Sequence, residues 1–307
     1  MAQAQSGLCA EANLHGLHLF FNVLDGHDEA VRVQLPELLL LQEEFNDQFS
    51  ESMISSFIAV GAQYWPHIYP EFIPSELRSF PHISHSEHSI HSQPFDLLLV
   101  IRSDREDVNH LFAQRVLQIF GSGVELVSQV RCFRFLDGRD FNGFVYGGDA
   151  PHGRLKRQVA LVSSPNQPDD QGSYVHTTRV KFELAGWHRL DVSEQEQIMG
   201  RTRLDNQLIL PPTPDSHATL SELKDENGLA LLLNQSMPFG DVHVQGSLWL
   251  SCSAHGDGLA LVLKKRFGDD ECYDRWLDFT HSDMGAAFFA PSVQFLKSMA
   301  ERLDVIE

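Results

Sequence analysis

The stretch FDLLLVIRSDREDVNHLFAQRVLQIFGSGVELVSQVRCFRF, Phe95–Phe135, carries a strand, a helix and a strand in succession. Phe95–Arg102 is a short aliphatic run and reads as a strand. Asp104 is a good N-cap candidate, and the helix it opens, Arg105–Phe120, stops at Gly121-Ser122-Gly123. Val124–Phe135 then reads as the next strand. Working back toward the N-terminus, Phe57–Trp65 (FIAVGAQYW) reads as a strand broken by Gly61. Pro36–Phe49 reads as a helix with Pro at a favoured first position, and His15–Val23 (HGLHLFFNV) as a strand bounded by Asp25-Gly26. The order is β-α-β-β-α-β, the split pattern of a ferredoxin-like sheet with helices on one face.

The second half repeats the theme less cleanly. Tyr174–Leu184 (YVHTTRVKFEL) reads as a strand, and Ser193 with Glu196 has the spacing of a capping box opening a short helix. A polar loop with prolines follows at Leu210–Ser216, then a strand at Gln245–Ser253 and a helix at Leu259–Phe267. Two α+β sheets of similar plan account for the chain, with domains expected at 1–138 and 139–307. The Gly-, Pro- and Asp-rich segment between Gly138 and Tyr174 is expected on the surface or around a site.

The 42 acidic residues outnumber the 23 Lys and Arg, so the formal net charge is −19. Such a surface repels phosphate backbones and anionic headgroups, which argues against nucleic-acid and membrane-surface roles. No apolar run approaches the roughly 20 residues of a spanning helix. Met1–Gly16 has no basic region followed by an apolar core, so neither a secretory nor a twin-arginine signal is expected and the cytoplasm is the default compartment. Cys9, Cys132, Cys252 and Cys272 are far apart, which argues against a disulfide framework and a zinc ribbon. His82, His85, His88 and His91 recur every third residue; metal binding and a solvated loop are both open, with the loop favoured. No phosphate-binding glycine loop, dinucleotide fingerprint, His-Glu-x-x-His pair or Gly-x-Ser-x-Gly is present.

Five blocks in the second half resemble, in order, the dye-decolorizing (DyP-type) haem peroxidases. They are FRFLDGRDFNGFVYGGDAP (Phe133–Pro151), GSYVHTTRVKFELAGWHRLDVSEQEQIMGRTRLDN (Gly172–Asn206), SHATL (Ser216–Leu220), LNQSMPFG (Leu233–Gly240) and FFAPS (Phe288–Ser292). The first half is most similar to the cytosolic, TyrA-like subgroup of that family. The resemblance implies a DyP-type dimeric α+β barrel, made of duplicated ferredoxin-like domains whose antiparallel sheets are flanked by helices. It also implies haem b as cofactor, hydrogen peroxide and a small organic reductant as substrates, and a homo-oligomer.

Carried over residue by residue, the resemblance makes His217 the axial ligand of the haem iron and Asp278 the acceptor for its second ring nitrogen. Arg201 and Arg203 match basic positions suited to haem propionates. The distal face departs from the family pattern. Where the family carries Gly-x-x-Asp-Gly, this chain has Gly143-Phe144-Val145-Tyr146-Gly147, and Asn234 stands in place of the distal arginine. A carboxylate accepts a proton at neutral pH, whereas a phenol with a pKa of about 10 is already protonated. Asparagine offers a dipole where arginine offers fixed charge. Asp137, Asp140, Asp149 and His152 lie nearby in sequence, with rescue weighed for the last two as a minority reading. Two functions stay open: a divergent haem oxidoreductase with weak or altered peroxidase activity, or a non-catalytic relative that binds, carries or senses haem or has become a haem-free interaction module.

Overall fold

The computed structural model describes residues 2–84, 88–145, 150–268 and 272–301. The first half forms strands β1 (His15–Val23), β2 (Ser55–Gly61), β3 (Leu97–Ser103) and β4 (Val124–Phe133), with helices α1 (Glu37–Gln48) and α2 (Glu106–Phe120) between them. They lie side by side in the order β2-β3-β1-β4, every pair antiparallel. The second half forms β5 (Ser173–Phe182), β6 (Met237–Gly240), β7 (Gln245–Ser253) and β8 (Thr280–Ala290). Their order, β6-β7-β5-β8, is the same permutation. The fold is therefore α+β, a ferredoxin-like plan used twice.

The two sheets join at both edges. Cys132 of β4 pairs with Phe239 of β6, and Val60 and Gly61 of β2 pair with Phe289 and Phe288 of β8. Strand alternation then sorts the side chains into an inside and an outside. Phe20, Phe57, Leu98, Val175, Leu250 and Phe288 pack together in the core between the sheets. Their neighbours Leu19, Phe21, Ile58 and Leu99 point the other way, under α1 and α2, against Leu41, Phe45 and Phe112. Phe20, Phe57 and Phe288 are wholly buried, each contributing about 1.5–3 kcal/mol by leaving water. On the second sheet the outer face is covered by α3 (Val192–Met199), α4 (His217–Ser221) and α5 (Gly258–Phe267) less completely, and the uncovered space becomes the site.

Several local expectations shift. β2 ends at Gly61, where only glycine fits because a Cβ would lie 2.0 Å from the Phe95 carbonyl oxygen, and Trp65–Ile68 is a helical turn instead of strand. Arg105, not Asp104, takes the N-cap position of α2; the Asp104 carboxylate instead accepts from Leu14 N–H at 3.0 Å. The capping box of α3 is Asp191 with Glu194, two residues before the Ser193–Glu196 spacing. No helix among the described residues is long and apolar enough to cross a membrane.

Candidate functional site

On the outer face of the second sheet, His176 and Thr178 of β5 and Trp249 and Ser251 of β7 line one wall of a cavity. The cavity holds about 1460 Å³ of empty space, its open mouth included. Leu259, Val262 and Leu263 of α5 form an apolar side, and Asp140, Asn142 and Phe144 line it from a turn after β4. That turn is held from behind: Trp187, fully buried, donates its indole N–H to the Asn142 carbonyl at 2.9 Å, and Asn142 Oδ1 accepts from Phe144 N–H at 2.9 Å.

His217 is the first residue of α4 and lines the same cavity. Its Nδ1 lies 2.8 Å from Oδ2 of Asp274, which leaves Nε2 as the uncommitted ring nitrogen. Asp274 is wholly buried and caps the short 3₁₀ helix Arg275–Phe279 by accepting from Trp276 N–H. Its Oδ2 also accepts from Arg266 Nε at 2.6 Å, and the Arg266 guanidinium sits 4.4 Å over the Trp249 ring. Burial alone would push the Asp274 carboxyl up, but its interactions with His217 and Arg266 outweigh that and hold it well below the usual carboxylate range.

This corrects the assignment of Asp278. Its carboxylate is half exposed and bonds His88 Nε2 at 3.2 Å and the Tyr273 hydroxyl at 3.0 Å, away from His217. Of the two basic candidates, Arg201 lines the cavity and pairs with Glu222 through Nε and Nη2, at 3.1 and 2.6 Å. Arg203 does not line it: Nη1 donates to Gln195 and the guanidinium covers Gly143. Lys224 also stands among the lining residues, a cation besides Arg201 and Arg266.

Asn234 is part of a two-residue strand, Leu233–Asn234, paired with β7 opposite Ser251, and it lines the cavity. The next residue, Gln235, is held by Arg102 of β3, which donates to its side-chain and main-chain oxygens at 2.5 Å each. Tyr146 falls outside the described residues, as do Asp149 and His85. Of the other histidines, His82 and His91 are exposed, and among the described residues no group of three or more His, Cys, Asp or Glu is placed to hold a bare metal ion.

Gly143 has φ +89, and a Cβ there would lie 2.7 Å from Arg203 Nε and Nη2. Gly143→Ala is expected to cost about 1–3 kcal/mol of stability, read as a lower denaturant midpoint. An unchanged midpoint would show that the turn relaxes freely.

The model of the Dyp-type peroxidase C-terminal domain matches residues 137–295, and that of the N-terminal domain matches residues 5–134. The chain belongs to the Dyp-type peroxidase family. Among Dyp-type relatives, a dye-decolorizing peroxidase of Mycolicibacterium paratuberculosis is 31% identical over 288 residues, covering 91% of this chain and 81% of its own. A crystal structure of a putative Dyp-type peroxidase from Shewanella oneidensis superposes with TM-score 0.92 at 39% identity, over 96% of this chain and 98% of that one. A Rhodococcus jostii RHA1 DypB variant in complex with heme superposes with TM-score 0.89 at 28% identity, over 97% and 99%.

Measured against a haem as this family's cofactor, the donor set fits. Of the two histidines that line the cavity, His217 is the one oriented by a carboxylate, with Nε2 uncommitted among the described residues, whereas His176 has no such partner; apolar walls suit a macrocycle, and Arg201 and Lys224 bring positive charge to the lining. A lone protein ligand suits a metal that brings four ligands of its own. Sequence reasoning missed Asp274, Arg266 and Trp249. The pair Asp274 and Asp278 brackets one 3₁₀ turn, and only the start of that turn decides which carboxylate reaches His217.

Proposed function

We propose that this chain binds haem b through His217 Nε2 and uses it to reduce hydrogen peroxide at the expense of a small organic reductant, with a distal side altered from the family pattern. The His217–Asp274–Arg266 chain, buried at Asp274 and Arg266, carries this reading, because it gives the cavity one oriented ligand backed by an ionised carboxylate. When bound, haem supplies the electrons that cleavage of the peroxide bond consumes. The protein's own residues do the rest: Asp274 fixes the His217 tautomer, Arg201 and Lys224 meet the propionates, and Leu259, Val262 and Leu263 exclude water. Asn234 offers an amide dipole where charge develops. Assembly into a homo-oligomer and a cytoplasmic location belong to the same proposal.

The test is the absorption spectrum of haem-supplemented protein, followed by peroxide addition with a dye as reductant. Tyr146→Asp combined with Asn234→Arg is expected to raise peroxide-dependent dye oxidation, on the order of 10²-fold, by restoring a carboxylate and a fixed positive charge. No gain in the haem-loaded variant would sink the view that those two positions limit turnover. The same replacements favour a second reading, haem carriage or sensing without turnover. Haem uptake with no spectral response to peroxide would select it.

A further inference from the structure

In sequence, Tyr146 stands where the family carries its acid–base aspartate, and the described sequence neighbours of that position differ sharply in where they lie. Asp137 is exposed and paired with Arg139, and His152 is exposed. Asp140 is 4% exposed and lines the cavity. Among the described lining residues the other carboxylate is Glu222, whose two oxygens are both committed to Arg201. Asp140 is also rigidly placed. Its N–H donates to the Phe144 carbonyl at 2.9 Å, its carbonyl accepts from Gly143 N–H at 2.9 Å, and its Oδ1 accepts from Phe141 N–H at 2.8 Å. Among the described residues, Oδ2 takes no backbone donor.

We propose that Asp140 is the proton-transfer residue of this cavity, taking the part that a tyrosine at position 146 leaves vacant. The proposal rests on the haem-peroxidase reading above. Asp140 as carboxylate takes the proton from one oxygen of HOOH and gives it to the other, which leaves as water when the O–O bond breaks. The carboxylate is unchanged at the end. Overall, one HOOH and two hydrogen atoms from the organic reductant give two waters, and the reductant is oxidised by two electrons.

The electrostatics agree with the geometry. Burial pushes the Asp140 carboxyl up to about 7, against the lowering effects of Phe141 N–H and the Ser247 hydroxyl. A group near the working pH is effective both as acceptor and as donor. Among the described residues, the other titratable side chains lining the cavity are His176, Arg201, His217, Glu222, Lys224 and Arg266, and Cys132 lies close to Asp140 on β4. Arg201 and Glu222 are paired with each other, and His217 and Arg266 are both held by Asp274. His176 is lowered to about 4 by burial, which makes it a poor proton acceptor at neutral pH.

The experiment compares haem-loaded parent protein with Asp140→Asn and Asp140→Glu. In Asp140→Asn, turnover of hydrogen peroxide should fall on the order of 10²–10⁴-fold with haem content unchanged. Asp140→Glu should recover part of the loss. Two readouts do not depend on activity. Association of hydrogen cyanide with the haem-loaded protein, which sheds a proton as it binds, should slow in Asp140→Asn and lose its ionisation near pH 7. An infrared carboxyl band titrating near pH 7 should disappear in the same variant. Retained haem with unchanged turnover and cyanide kinetics overturns the assignment alone. No haem absorption in the supplemented parent protein overturns the haem reading, and the assignment with it.

Discussion

His217→Ala emerges from haem supplementation and desalting without its haem absorption band, while its fold and thermal midpoint match those of haem-free parent protein. That is the expected result, because the substitution removes the one cavity imidazole that a carboxylate orients, and little else. Removing a residue that merely orients a metal ligand typically costs 10–100-fold in affinity, and loss of the ligand itself should exceed that. Asp274 keeps Arg266 as a partner at 2.6 Å, so no buried charge is stranded. Imidazole added to the solution should restore part of the haem absorption, since the vacated space is open to the cavity that His217 lines. Unchanged haem occupancy in His217→Ala would remove the ligand assignment.

The parts of this molecule that were legible in its sequence are those governed by local periodicity. β1, β7 and both long helices of the first half follow from apolar spacing and terminator residues, and their ends agree with the expectation to within a residue or two. β8 gave no such signal. Its sequence, THSDMGAAFFA, is polar at the start and continuously buried at the end, so neither alternation nor an uninterrupted apolar run marks it. β6 has four residues and is a strand only because β4 and β7 flank it. Gly61 was visible as a break, but its cause, the close approach of the Phe95 backbone, comes from a strand far along the chain.

The site divides the same way. His217 was legible because it sits in a short recognisable block, whereas its partner was not, because 57 residues and a 3₁₀ turn separate them. Asp140 illustrates the other limit. In sequence it is one of several acidic residues around Gly143, and only burial distinguishes it from the exposed Asp137. Arg102 carries the point across the two halves of the chain. It belongs to the first sheet, yet it holds the residue immediately after Asn234. The edge of the cavity at Asn234 is thus set by a contact that no reading of the second half alone can supply.

Asp274→Ala is the substitution expected to damage the protein most. Arg266 is 4% exposed, and Asp274 is its carboxylate partner. Breaking a buried pair by removing one member strands the other charge and costs about 3–5 kcal/mol. Asp278→Ala, by contrast, removes a half-exposed carboxylate from His88 and Tyr273 and should stay within about 0.5 kcal/mol of the parent. The comparison by denaturant unfolding, made on haem-free protein, separates the two carboxylates, and equal losses would overturn the assignment of Asp274. The pH dependence has a definite sign. Because the folded protein holds the Asp274 carboxyl below its ordinary value, its stabilisation is present above the unfolded pKa of about 3.9. It is lost as the pH falls through the folded value. The stability difference between parent and Asp274→Ala should therefore be full at pH 7 and shrink only below about pH 4, as the carboxyl takes up its proton and releases Arg266. A difference that stayed constant down to the acid transition would mean that Asp274 acts through packing and not through its charge.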